Sequence, residues 1–188
     1  MRDILFGLLK KTVVLFGGLG IGRIWPFREL YHLLLSRLNP RTAAVHGHAM
    51  FLDPNDSLRL SLWGEYEPFE TRLFTSHIQS GHVVLDIGAN IGAHTLLIPR
   101  LTGTMGCVHA FKPTAFALAQ LRANFACNTD FAERIKVRQI LLRDGGGDTS
   151  PTALATSWPL GIRPGRHLVH GGQDMTTAGA AAETLDSY

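Results

Sequence analysis

Asp86, Gly88, Asn90, Gly92 and His94 alternate through the run VVLDIGANIGAH at positions 83–94, and each can serve a ligand at the end of a strand. Val83, Val84, Leu85 and Ile87 form an unbroken apolar run, which predicts a strand buried on both faces of a parallel sheet. Gly88 and Gly92 permit a tight turn in which the backbone of Ala89 approaches a ligand closely. Asn90, between them, tolerates left-handed dihedrals. The turn opens onto Ala93, His94 and Thr95, where the free N–H groups of a helix start would face the crevice. Asp86 places a carboxylate at the carboxyl end of the strand, where it can hold a cationic amino acid moiety and would repel a pyrophosphate. Dinucleotide cradles are spaced G-x-G-x-x-G. The spacing here is D-x-G-x-N-x-G, which favours S-adenosylmethionine over NAD.

The elements around this run are spaced as alternating strands and helices. A second strand is expected over Gly106–Lys112, a helix starting at Pro113 with Leu118, Leu121 and Phe125 on its sheet-facing side, and a third strand over Ile135–Leu142. Asn128 is the expected helix terminator. Lys112 ends the second strand, 20 residues after Gly92, at the offset where a carboxylate ordinarily grips ribose hydroxyls. Lysine offers donors only. A cation there also suits a 2′-phosphate, which leaves an NADP-binding module as an alternative, and a snorkelling lysine at a strand end is the plainest reading.

The segments GEYEPFETRLF (64–74), SGHVVLDIGANIGAHTLLIPRL (80–101), HAFKP (109–113), LAQLRANFACN (118–128) and ETLDS (183–187) together resemble the FkbM family of S-adenosylmethionine-dependent methyltransferases. The resemblance covers roughly residues 46–144, with the short echo at 183–187. It implies an α/β, Rossmann-like class I methyltransferase fold, of which the chain holds the N-terminal half, preceded by a helical and hairpin extension. It also implies methyl transfer to an oxygen nucleophile of a small molecule or sugar. Family members typically read A-F-E-P where this chain has Ala110, Phe111, Lys112 and Pro113, so the expected ribose carboxylate is replaced by an ammonium. The resemblance places Glu67, in Tyr66-Glu67-Pro68, and Asp144, after the third strand, near the cofactor. Glu67 also reads as an acid at a helix entry, and Asp144 as a loop residue. The I-D-V-E-G motif of a fourth strand is absent, which leaves the first strand as a bare edge and a non-catalytic module as an alternative. No general base is assigned; His94 and Glu67 are candidates.

The domain plan is a basic, apolar helical arm over 1–45, a partial cofactor-binding domain over 46–144, and a loop-rich or disordered tail over 145–188. Composition is that of an ordinary soluble chain, with 188 residues, 45% hydrophobic and 18% charged. Charge is unevenly placed. Residues 1–42 hold Arg2, Lys10, Lys11, Arg23, Arg28, Arg37 and Arg41 against Asp3 and Glu29, so the net charge of +3 belongs to the arm and the remainder is net negative. The apolar stretches of the arm are too short to span a bilayer. They are expected either to cap the domain or to lie on an anionic membrane through residues 1–42. A hairpin is expected around Asp53, Pro54, Asn55 and Asp56. Cys107 and Cys127 read as buried reduced thiols in a cytoplasmic protein. His46 with His48 and His167 with His170 lack the further ligands of a zinc set. Basic residues are not interleaved with stacking aromatics, so nucleic acid is not an expected partner.

Overall fold

The computed structural model describes residues 1–19, 24, 26–53, 56, 58–145 and 176–188. Its centre is a three-stranded parallel sheet in the order β3 (Val83–Ile87), β4 (Cys107–Phe111) and β5 (Ile135–Arg138). Register sets Val84, Val108 and Ile135 in one cross-strand row, and Asp86, Ala110 and Val137 in the next. Both rows face the same side, because side chains alternate along a strand. The helices α5 (Ala93–Thr102) and α6 (Ala115–Ala126) cover that side. Leu96 and Ile98 pack with Val108 and Ile135, while Leu118 and Leu121 pack with Ala89 and Ala110. The α/β class expected from the sequence is therefore the class observed.

β3 departs from expectation. Val83, Leu85 and Ile87 are 64%, 40% and 60% exposed, so the strand is not buried on both faces. An apolar run cannot distinguish a central strand from an edge, and among the described residues β3 pairs with β4 alone. On this open side Tyr188 stacks edge-on against Phe111, with ring centroids 4.8 Å apart, and its hydroxyl meets His109 Nδ1 at 2.7 Å.

The expected third strand is two strands. After Gln139 the chain enters β6 (Ile140–Leu142), which leaves the central sheet and pairs in parallel with β7 (Ala181–Glu183). The tail is therefore partly ordered strand rather than loop, and residues 146–175 lie outside the described residues. α6 begins at Ala115, two residues later than a start at Pro113, with Thr114 at its N-cap. It ends at Ala126 with Cys127 as its C-cap, one residue before Asn128. Both cysteines are free, but neither is buried as expected: Cys107 is half-buried and Cys127, the C-cap of α6, is exposed.

Ahead of the sheet stands an antiparallel hairpin, β1 (Thr42–Val45) and β2 (His48–Phe51), whose turn is His46-Gly47 and not 53–56. Both turn residues have positive φ, 50° and 82°, the geometry of a two-residue hairpin with right-handed strand twist. Asp56 serves a different end: its carboxylate accepts the backbone N–H groups of Leu60 at 2.9 Å and Ser61 at 3.1 Å, together with the Ser61 hydroxyl. These bonds anchor the short helix α3 (Leu60–Trp63). Burial still pushes the Asp56 carboxyl above its ordinary pKa. Val45, Met50 and Leu60 join Ile91 and Leu96 in one core, so the hairpin packs on the helix-covered side. The helix α4 (Pro68–His77) leads into β3. Two helices, α1 (Arg2–Phe16) and α2 (Phe27–Leu38), precede the hairpin, so the 1–45 segment holds β1 as well as helices, and α1 buries none of its residues.

Candidate functional site

Asp86, Gly88, Ala89, Asn90 and Gly92 form one turn at the carboxyl end of β3, the place where open α/β sheets bind ligands. The backbone N–H groups of Gly88 and Ala89 both donate to the Phe111 carbonyl, at 3.0 and 3.1 Å, which fastens the turn to the end of β4. Gly88 has φ +89° and open space where a Cβ would stand. Gly92 has φ +99°, and a Cβ there would lie 2.6 Å from Leu121 Cδ1. The two glycines thus do different work: Gly88 leaves open space at the turn, and Gly92 lets α5 start tight against α6. Asn90 supplies the left-handed residue between them, φ 49°, and its Oδ1 is buried with no hydrogen-bond partner.

Asp86 lies under this turn and accepts a 2.5 Å hydrogen bond from the Thr95 hydroxyl, in the first turn of α5. Burial raises its carboxyl above the ordinary range, opposed by Thr95 and by the charges of His94 and Lys112. Lys112 is 8% exposed, so the snorkelling reading fails. Its ammonium is lowered by burial and partly restored by Asp86. Acid and ammonium are therefore electrostatic neighbours at the ends of adjacent strands, each displaced in the direction that burial dictates. Thr114, two residues on, is fully buried, and its Oγ1 has no partner.

His94 and Glu67 come together across 27 residues, with Nε2 3.0 Å from Oε2. Glu67 owes its position to a left-handed φ of 46° at the N-cap of α4, with Pro68 following at the helix start. A carboxylate only accepts, so Nε2 carries a proton toward Glu67 and Nδ1 is the other ring nitrogen. That Nδ1 is buried without a partner. Tyr66 and Phe74 pack on the ring, with centroids at 5.1 and 4.9 Å, and His46 stacks beyond at 6.4 Å. Burial and the adjoining Glu67 push the Tyr66 hydroxyl up to about 12. Burial, and then the neighbouring His94, lower the pKa of His46. Asp144 is exposed beyond β6.

Two residues with structural charge of the site went unnoticed in the sequence. Thr95 sits nine positions after Asp86 and is one of two fully buried hydroxyls on α5, with Thr102. Asn124 is fully buried, donating to the Ile91 carbonyl at 2.8 Å and accepting from the Phe51 N–H at 2.7 Å. It ties the glycine turn to β2. Its signal was a polar residue at helical spacing from Leu121. Among the described residues no group of three or more histidine, cysteine or acidic side chains is placed to hold a metal ion.

No family model matches the chain, and no curated protein does. Solved structures do. A putative rRNA-methylase from Clostridium thermocellum is 17% identical over 44% of this chain and 54% of its own length, with a TM-score of 0.36. Protein-L-isoaspartate O-methyltransferase is 20% identical over 73% of this chain and 41% of its own, at 0.36. Coclaurine N-methyltransferase, bound to N-methylheliamine and S-adenosylhomocysteine, is 14% identical over 81% and 47%, at 0.37. The chain spans about half or less of the length of these proteins. The FkbM assignment gains no support from the comparisons.

Proposed function

We propose that residues 46–144 bind S-adenosylmethionine and that the chain is a methyltransferase of FkbM type, acting on a hydroxyl of a small molecule or sugar. One observation carries this reading: a half-buried carboxylate, Asp86, lies beneath a glycine turn at the carboxyl end of a parallel strand, with open space at Gly88 and an orphaned buried acceptor at Asn90. That corner fits the cationic amino acid end of the cofactor, held by Asp86, Gly88, Ala89, Asn90 and Gly92. The ribose corner fits less well, because Lys112 offers donors where the hydroxyls need acceptors. Asp144 is the remaining candidate, toward the adenine.

When bound, S-adenosylmethionine supplies a methyl group on a sulfonium. The chain then has to orient an acceptor hydroxyl and take its proton. His94 suits the second task, since Glu67 fixes Nε2 as donor and leaves Nδ1 to accept. Glu67 also stabilises the imidazolium that results. Holding acceptor and sulfonium together in a site cleared of water supplies most of the remaining acceleration.

The buried Lys112 ammonium favours a second reading, a module for a 2′-phosphorylated nicotinamide dinucleotide. Asp86 opposes it, because a half-buried carboxylate repels a pyrophosphate. Thermal melting in the presence of S-adenosylhomocysteine separates the readings. A ligand at about 100 times its Kd stabilises the folded state by about 2.7 kcal/mol, so the melting temperature should rise by several degrees. A rise with NADP and none with S-adenosylhomocysteine would select the second reading. No rise with either would leave a non-catalytic module.

A further inference from the structure

We propose that the solvent face of α1 docks on the surface of an anionic lipid bilayer. Ile4, Leu8 and Leu15 are 71%, 57% and 72% exposed. At 100° per residue they fall within about 40° of one another, as a single stripe along the helix. Leu5 and Phe16, 46% and 44% exposed, widen it, and exposed Lys11 borders it. The opposite side of α1 faces the protein: Phe6, Leu9 and Val13 are partly buried, and Lys10 Nζ donates to the Ser61 carbonyl at 3.0 Å. The helix is therefore held by one side with its apolar stripe turned outward.

Phe27 and Leu30 of α2, 53% and 51% exposed, add apolar surface to the same arm. Soluble proteins rarely leave contiguous apolar patches of this kind uncovered. Charge selects the occupant. The arm carries a surplus of five positive charges while the remainder of the chain is net negative, and Lys11, Arg37 and Arg41 are exposed. A second copy would set one basic arm against another, whereas anionic headgroups over an acyl layer satisfy stripe and basic border together. Fifteen residues reach about 22 Å, short of the roughly 30 Å hydrocarbon core, so α1 lies in the interface. Among the described residues no helix is long and apolar enough to cross a membrane.

Flotation of the full chain with phosphatidylcholine vesicles, with and without phosphatidylglycerol, tests this. The chain should float only with the anionic vesicles, and Lys11→Gln should weaken partitioning about fivefold. The triple variant Ile4→Glu, Leu8→Glu, Leu15→Glu should stay at the bottom yet melt as the wild type does, because all three residues are already in water. Failure of the wild type to float, or equal flotation of the triple variant, overturns the proposal. So does a wild-type dimer that the triple variant dissolves while neither floats, which would assign the stripe to a second copy.

Discussion

Replacing His94 with glutamine should lower methyl-transfer turnover by about two to four orders of magnitude, the range over which a positioned proton acceptor acts. Glutamine can still donate to Glu67 and occupy much of the same volume between Tyr66 and Phe74, but its amide cannot take a proton. The geometry that motivates this is the 3.0 Å Nε2 to Oε2 contact, together with an unpartnered Nδ1 in the first turn after the glycine cradle. Glu67→Gln should give a smaller loss, because it frees the tautomer without removing the base. Turnover of the His94 variant within threefold of the wild type would show that the proton leaves by another route.

Lys112→Glu should tighten S-adenosylmethionine binding by about ten- to more than a hundredfold. Exchange restores a carboxylate that can accept from the ribose hydroxyls, and one charged hydrogen bond contributes roughly 1.5 to 3 kcal/mol, which corresponds to that range of affinity. It also removes a buried cation from the surroundings of a sulfonium. There is an opposing effect, because a second carboxylate near Asp86 adds like-charge repulsion to an acid whose pKa burial has already raised. The unliganded variant should therefore melt lower while binding more tightly, and Lys112→Gln should fall between the two proteins in affinity. Calorimetric titration reads the affinities directly. Equal or weaker binding by the glutamate variant would remove Lys112 from the ribose position.

The parts of the fold that were legible in the sequence are those set by local rules. VVLDI, CVHAF and the Leu118, Leu121 spacing each announce an element, and the glycine turn announces where the strand must end. Longer-range arrangement was not legible. Asp53, Pro54, Asn55 and Asp56 have the composition of a hairpin turn, yet the hairpin closes at His46-Gly47, because positive φ at a histidine leaves no trace in composition. The break at Gln139 falls inside the strand-like run IKVRQILL, where no glycine or proline marks it, and β7 is three residues of modest propensity paired with β6. At the site, Asp86 and the glycines could be read from spacing. The Thr95 bond to Asp86, the Asn124 bracket and the burial of Lys112 could not, since each depends on which helix face meets the sheet.

The central claim is that the carboxylate beneath the glycine turn receives the amino acid end of a methyl donor. Crystals soaked in S-adenosylhomocysteine test it most directly. The account predicts density against the turn at Gly88, Ala89 and Asn90, with the ligand ammonium on the side of Asp86 and the ribose reaching toward Lys112. A turn left empty by that ligand, or filled instead by a phosphorylated nicotinamide dinucleotide in a parallel soak, would contradict it.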